Sequence, residues 1–434
     1  MQPLRCGSFS SRKPSSSRFT MSANRSPSFV WLRGFAATGV VILHACAAYL
    51  TVPMPGLTWA IQDRPCAGLN TLFWSIELFI MPLFLMMAGF FVLPLIQKHQ
   101  VFGFLRHRGK RLLLPLIVFS VILLPLVFYT WMLGWLIEDR VTVAEVKRLK
   151  FVAGQDEHLW GLSHLWFLQY LFLYCVVFAA AYSFWPRRWR SATLREKLRR
   201  PSLVALAAIS LAVLAVAPEV VFGFQHAFYP VPSKWLYSGC FFAGGIWLSV
   251  YDPQLRQVNR LCFRLLFVGG LAACVSLFAM RQALIESGFP LAMGLMLLAT
   301  VVAAWSISLG LHGLAHRLPQ RVPMAVQSFA TASFWVYLVH HPLVGLSHIS
   351  VKQLAPSAPA WVKLLVVTTI TIAVCLASFH VFVRRTWLGL LLGVPQSPGN
   401  ASAVATPRAS DQQPEGVPRL LRFPARNPSA RKAA

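Results

Sequence analysis

The chain has 434 residues, of which 56% are hydrophobic and 12% charged, and its mean hydropathy is +0.59. A composition this apolar excludes a soluble globular protein and implies an all-α, polytopic membrane protein. The formal net charge of +27 does not point to nucleic acid: membrane proteins gather basic residues beside helix ends on the cytoplasmic side, and no basic run here carries interleaved aromatics in a polar domain.

Residues 1–28 are rich in Ser, Arg and Pro and lack a short apolar core. They read as a basic disordered tail rather than a cleaved secretory signal, with Met21 an alternative start. Ten apolar stretches follow, each read as a membrane span: 29–50, 72–96, 112–137, 165–185, 203–222, 235–250, 262–281, 291–311, 329–348 and 361–383. Lys and Arg concentrate in the loops at 97–111, 186–200, 251–261 and 312–328, and both tails are basic. The expected arrangement is therefore a membrane domain over 29–385 with ten helices in the bilayer and both termini cytoplasmic. The longest outer loop, about 138–164, mixes Glu138, Asp139, Glu145, Asp156 and Glu157 with four bases and reads as solvated surface. From 395 to 434 the chain is polar, basic and poor in core-forming residues, so a disordered tail is expected. The eight cysteines are scattered without zinc-like spacing or a disulfide ladder, and no metal site is expected.

The first stretch carries the most informative residues, Arg33 and His44. Eleven helical steps are close to three whole turns, so both side chains point the same way, roughly 16 Å apart along the axis. An intramembrane cation costs about 2.5–3.5 kcal/mol on insertion scales, which favours a function or a partner. An imidazole titrates where it can take a proton from a hydroxyl, so His44 is a candidate general base, against the plainer reading of a packing hydrogen bond. Arg33 has its own plain reading, a side chain snorkelling to the inner boundary. The expectation is that both face one cavity.

Glu77, in mid-span, either orients His44, pairs with Arg33 or is a structurally satisfied carboxyl. Ala88-Gly89-Phe90-Phe91 offers close helix approach through small residues. Arg108 and Arg111, before the third span, suit bidentate contact with phosphate from the cytoplasm, or anchor that helix end. His164 and Trp166 stand where the outer loop re-enters the membrane, at the depth of an aromatic belt. Tyr337, His340 and His341 precede Pro342 in the ninth stretch.

Taken together these residues resemble the membrane-bound acyltransferase 3 family. The resemblance is carried by Arg33 and His44 with ten residues between them, by Arg108-x-x-Arg111, and by the Phe-rich run ending in Ala88-Gly89-Phe90. His164-Leu-Trp-Phe-Leu168 and Tyr337-Leu-Val-His340 look most like the family's periplasmic glucan succinylation branch, and Phe241-Phe-Ala-Gly244-Gly looks like the family's sixth-helix segment. Ala88 departs from the serine of many members. The resemblance implies O-acyl transfer of succinyl or acetyl from cytoplasmic acyl-CoA, a co-substrate rather than a tightly bound cofactor, to hydroxyls of an envelope glucan or saccharide at the inner membrane. It implies His44 as base or acyl carrier, Arg33 stabilising the thioester carbonyl or anchoring the donor, Arg108 and Arg111 on coenzyme A phosphates, and His164, Trp166, Tyr337 and His340 on the acceptor side; Glu77 stands as a catalytic candidate on its mid-span position alone. Intramembrane Arg, His and Glu also describe a proton-coupled transporter or flippase of a saccharide. The sequence leaves the oligomeric state open.

Overall fold

Inside a bilayer no water satisfies peptide groups, so apolar stretches of this length close their own backbone hydrogen bonds, and every element among the described residues is a helix. The computed structural model describes residues 26–152, 159–184, 192–285, 290–392 and 394, within one unit, Met1–Pro395. The expected tails fall almost wholly outside these residues, as do Asp156 and Glu157. In chain order the helices are α1 (Pro27–Cys46), α2 (Ala67–Phe90), α3 (Val92–Arg108), α4 (Leu114–Ile137), the short α5 (Val143–Arg148), α6 (Trp166–Ser183) and α7 (Ala192–Val216). The single turn α8 (Glu219–Phe222) leads to α9 (Pro232–Tyr251), α10 (Arg256–Ile285), α11 (Pro290–Arg317), α12 (Met324–Leu354), α13 (Ala360–Ser378) and the short α14 (Trp387–Leu392).

Each of the ten expected stretches falls mainly on helix, two of them divided between two helices. Among the described residues seven stretches are long and apolar enough to cross a membrane: Pro27–Tyr49, Ala67–Phe90, Val92–Ile137, Ser163–Ser183, Arg256–Gln282, Leu291–Arg317 and Ala360–Val383. Their outward faces are apolar: α10 exposes Phe263, Phe267, Leu271 and Phe278 on one side, and α4 exposes Ile117, Val121, Ile122 and Leu126. Such contiguous faces are unstable in water and suit lipid. The chain is an all-α, polytopic membrane protein.

Two expected boundaries are corrected. The stretch 72–96 is two helices, because α2 ends with Phe91 as its C-cap (φ −92°, ψ −5°) and α3 starts at Val92. Helix α3 itself breaks at Gln100 (φ 58°, ψ 173°) and joins α4 through a π-helical turn, Gly109–Leu113. The stretch 203–222 is also split, since Pro218 lacks the backbone N–H that would extend α7 and α8 forms a separate turn.

Helix α1 is the axis of the domain, packed by α2, α11, α12 and α13, while α10 packs chiefly on α11 at the periphery. Helices α2 and α9 meet backbone to backbone. A Cβ on Gly89 would stand 2.0 Å from the Phe242 carbonyl oxygen, and one on Gly245 would stand 2.1 Å from that of Met86. The two small-residue motifs singled out in the sequence thus face each other across one crossing.

Because backbone cannot yield as a side-chain tip can, Gly89→Ala is expected to destabilise the fold by about 1–3 kcal/mol. The check is a lowered thermal midpoint of the detergent-solubilised chain. An unchanged midpoint contradicts the tight crossing.

Candidate active site

Helices α1, α2, α9 and α12 each turn one face to a shared, partly open cavity. From α1 come Val40, Leu43, His44 and Ala47, and from α9 come Lys234, Tyr237, Ser238 and Phe241. Both sets repeat at three- and four-residue steps, the spacing of one helix face. Glu77 of α2, Tyr337 and His340 of α12, and His164 and Trp166 at the start of α6 complete the polar part of the wall.

The hydrogen bonds of His44 fix its tautomer. Nδ1 lies 2.8 Å from the Val40 carbonyl oxygen, which only accepts, so Nδ1 carries the proton in the neutral ring. The same holds at His340, whose Nδ1 donates to the Tyr337 and Val336 carbonyl oxygens at 2.8 and 3.0 Å. His340 Nε2 is therefore bare and faces His44 Nδ1 at 3.3 Å as a second acceptor for the same proton. His44 Nε2 is left with its lone pair on the cavity wall.

Two further devices hold this ring. Trp59, from the loop between α1 and α2, stacks on His44 at 6.0 Å and 21°. Its indole N–H donates to His348 Nδ1 at 3.0 Å, and His348 Nε2 donates to the Ala45 carbonyl oxygen at 3.0 Å. Behind His44, Trp131, His341 and His164 form a stack with 20° between neighbouring rings and centroids 5.0 and 4.8 Å apart. His164 Nε2 donates to the Leu338 carbonyl oxygen at 2.9 Å, and the Tyr337 hydroxyl donates to the His164 carbonyl oxygen at 2.7 Å. A second cavity, lined in part by Thr58, Trp131, Trp160 and Ser163, begins on the far side of His341.

Of the residues singled out in the sequence, His44, Glu77, His164, Trp166, Tyr337 and His340 share the cavity. Arg33, Arg108 and Arg111 do not line it. The α1 side of the cavity ends at Val40, and Arg33 sits seven residues lower, about 10 Å, with Nε donating to the Phe29 carbonyl oxygen at 3.3 Å. The expectation of one cavity for Arg33 and His44 therefore fails on depth rather than on direction. Arg108 lies beside the Phe104 ring (5.7 Å) with Nε buried and without a partner among the described residues, and Arg111 donates to the Leu392 carbonyl oxygen at 2.9 Å.

The cation that the cavity does contain is Lys234, which sequence reading left in a loop. It is only 7% exposed, donates from Nζ to the Gln225 carbonyl oxygen at 2.6 Å, and rests 3.8 Å from the centroid of Trp166. Glu77, from the neighbouring helix α2, lines the same cavity. Pro232 starts α9 two residues earlier, and Lys234 shares a helical stripe with Tyr237, Ser238 and Phe241. That stripe was the available signal. Trp59 and His348 carried none.

His348→Phe is expected to strand the buried Trp59 N–H, at about 1–3 kcal/mol, and to free the ring that covers His44. A lowered thermal midpoint in detergent checks this; an unchanged one removes His348 from the support of the site.

Similarity to known proteins agrees with this geometry. The chain is 24% identical over 298 residues to glucans biosynthesis protein C of Salmonella gallinarum (strain 287/91 / NCTC 13346), covering 66% of this chain and 75% of the relative. No solved structure matches the chain at a significant level. Residues 27–380 match the sequence profile described as an acyltransferase domain, and the chain belongs to that family, acyltransferase 3, as a multi-pass membrane acyltransferase.

Proposed function

We propose that the protein is an inner-membrane O-acyltransferase that moves a succinyl or acetyl group from cytoplasmic acyl-CoA to a hydroxyl of an envelope glucan or related saccharide. The observation that carries the reading is the bare Nε2 of His44 on the wall of a cavity within the membrane domain. The printed name of the relative, glucans biosynthesis protein C, supports a glucan as the acceptor class. The transporter reading loses its ground with the family.

In this reading His44 Nε2 removes the proton as the acceptor hydroxyl oxygen bonds to the thioester carbonyl carbon. The carbon–sulfur bond then breaks, the electron pair leaves with sulfur, and the imidazolium returns the proton to the thiolate. His340 Nε2 and the Val40 carbonyl stabilise the Nδ1–H through both steps. His164, Trp166 and Tyr337 contact the acceptor. With ten helices crossing and both termini inside, α3 and the π turn lie at the inner face, where Arg108 and Arg111 grip coenzyme A phosphates and Arg33 anchors the donor as it enters.

Membranes carrying His44→Ala are expected to lose acyl incorporation into saccharide by at least about 100-fold at normal protein abundance. Labelled-donor incorporation measures this, and retained transfer dismisses His44 as the base. Mass analysis of periplasmic glucans with and without the protein identifies the acyl group.

Arg108→Ala is expected to raise the donor KM about tenfold with kcat little changed, the pattern of lost uniform binding. A KM that stays put removes the phosphate assignment.

A further inference from the structure

Glu77 of α2 and Lys234 of α9 line the same cavity. Their heights are matched by construction. The α2–α9 contact fixes Gly89 against Gly245, and Glu77 stands twelve residues above Gly89 while Lys234 stands eleven above Gly245, about 17 Å in each case. No ion pair closes between them among the described residues.

An ammonium has three protons. At Lys234 one goes to the Gln225 carbonyl oxygen at 2.6 Å and the Trp166 face lies 3.8 Å away, which leaves donor capacity toward the cavity. The Glu77 carboxylate offers only acceptors. Charges this deep in a membrane domain are expensive, and well-packed apolar residues would often be more stable, so the pair's retention calls for a ligand. Between a carboxylate and an ammonium an anion is repelled by one and a cation by the other. A neutral hydroxyl satisfies both, accepting from Lys234 and donating to Glu77.

We propose that Glu77 and Lys234 clamp one hydroxyl of the acceptor sugar, so that a neighbouring hydroxyl meets His44 Nε2. The clamp rests on the acyltransferase reading and names the acceptor as a neutral polyol. Lys234 thus selects an uncharged saccharide and does not read a free carboxylate on the acyl chain, because Glu77 shares its field.

The test uses the full chain in detergent with acetyl-CoA and succinyl-CoA as donors and a glucose tetrasaccharide as acceptor. Glu77→Gln, Lys234→Met and the double variant Glu77→Gln/Lys234→Met are compared. The double variant leaves no unpaired buried charge and keeps the test informative where a single change prevents folding. The expected result is an acceptor KM raised about tenfold with each donor KM within about twofold, and a matching loss of tetrasaccharide affinity by calorimetry without donor. A lower kcat with unchanged acceptor KM assigns the pair to the thioester carbonyl and overturns the clamp. A raised KM for succinyl-CoA alone assigns Lys234 to the acyl carboxylate and also overturns it. Tetrasaccharide affinity that falls in the double variant supports the clamp even in a preparation that transfers nothing, which would count against the acyltransferase reading instead.

Discussion

The hydrogen bond from His44 Nδ1 to the Val40 carbonyl is the constraint on which the site depends. In water an imidazole exchanges tautomers freely. In an apolar interior each ring nitrogen must find its partner in the protein, and a carbonyl oxygen admits only a protonated nitrogen. Val40 lies four residues before His44 on the same helix, so the choice of tautomer is made by α1 alone. His340 does the same one helix away, with its own backbone holding Nδ1–H and leaving Nε2 to face His44. Two local helical contacts therefore decide which atom of the pair can act as a base.

That local choice is useful only if the ring stays still, and most of the stillness comes from a loop. Trp59 reaches His44 from residues between α1 and α2, where backbone alone is the weakest support. The loop is fastened at other points by charge. Asp63 meets Lys363 Nζ of α13 at 2.7 Å, with both side chains buried, and Glu138 joins Lys352 of α12 at 2.8 Å while accepting the Gln62 backbone N–H. Trp131 and Trp135 donate from their indoles to the carbonyl oxygens of Thr58 and Trp59. Breaking a buried pair such as Asp63–Lys363 costs about 3–5 kcal/mol, more than a loop of this length could offset by itself. The acids and bases that read in the sequence as solvated surface include Glu138, which is a structural anchor.

The helical architecture was legible because apolar length dominates all other signals in a membrane chain. The breaks were harder. Nothing apolar distinguishes Phe91 from its neighbours, and α2 ends there with no change of composition. The site was legible in proportion to how far each residue violates the membrane's preferences: Glu77 stands in mid-span and His44 in the last turn of α1, both inside apolar stretches. Lys234 stands one residue before an apolar run, where a lysine ordinarily snorkels, and only its stripe with Tyr237 and Phe241 distinguishes it. Arg33 shows the reverse error, since a shared helical face fixes direction and says nothing about where a cavity stops.

The depth at which the cavity stops also bears on how two substrates of opposite origin are handled. On α1 the wall runs from Ala47 to Val40, and below it the helix is closed by packing: Phe29 lies against Phe90 and Phe91, and Ile80 stands 3.0 Å from where a Cβ on Gly39 would be. Arg33 and the Arg108–Arg111 segment lie outside that wall, with His44, Lys234 and Glu77 inside it. A base and a neutral-paired charge therefore occupy the space where chemistry is proposed, while the permanent guanidinium charges stay where a polyanionic donor would be gripped. In the proposed reading, separating the strong anion-binding groups from the base keeps the thioester's phosphates from competing with the hydroxyl for the same site.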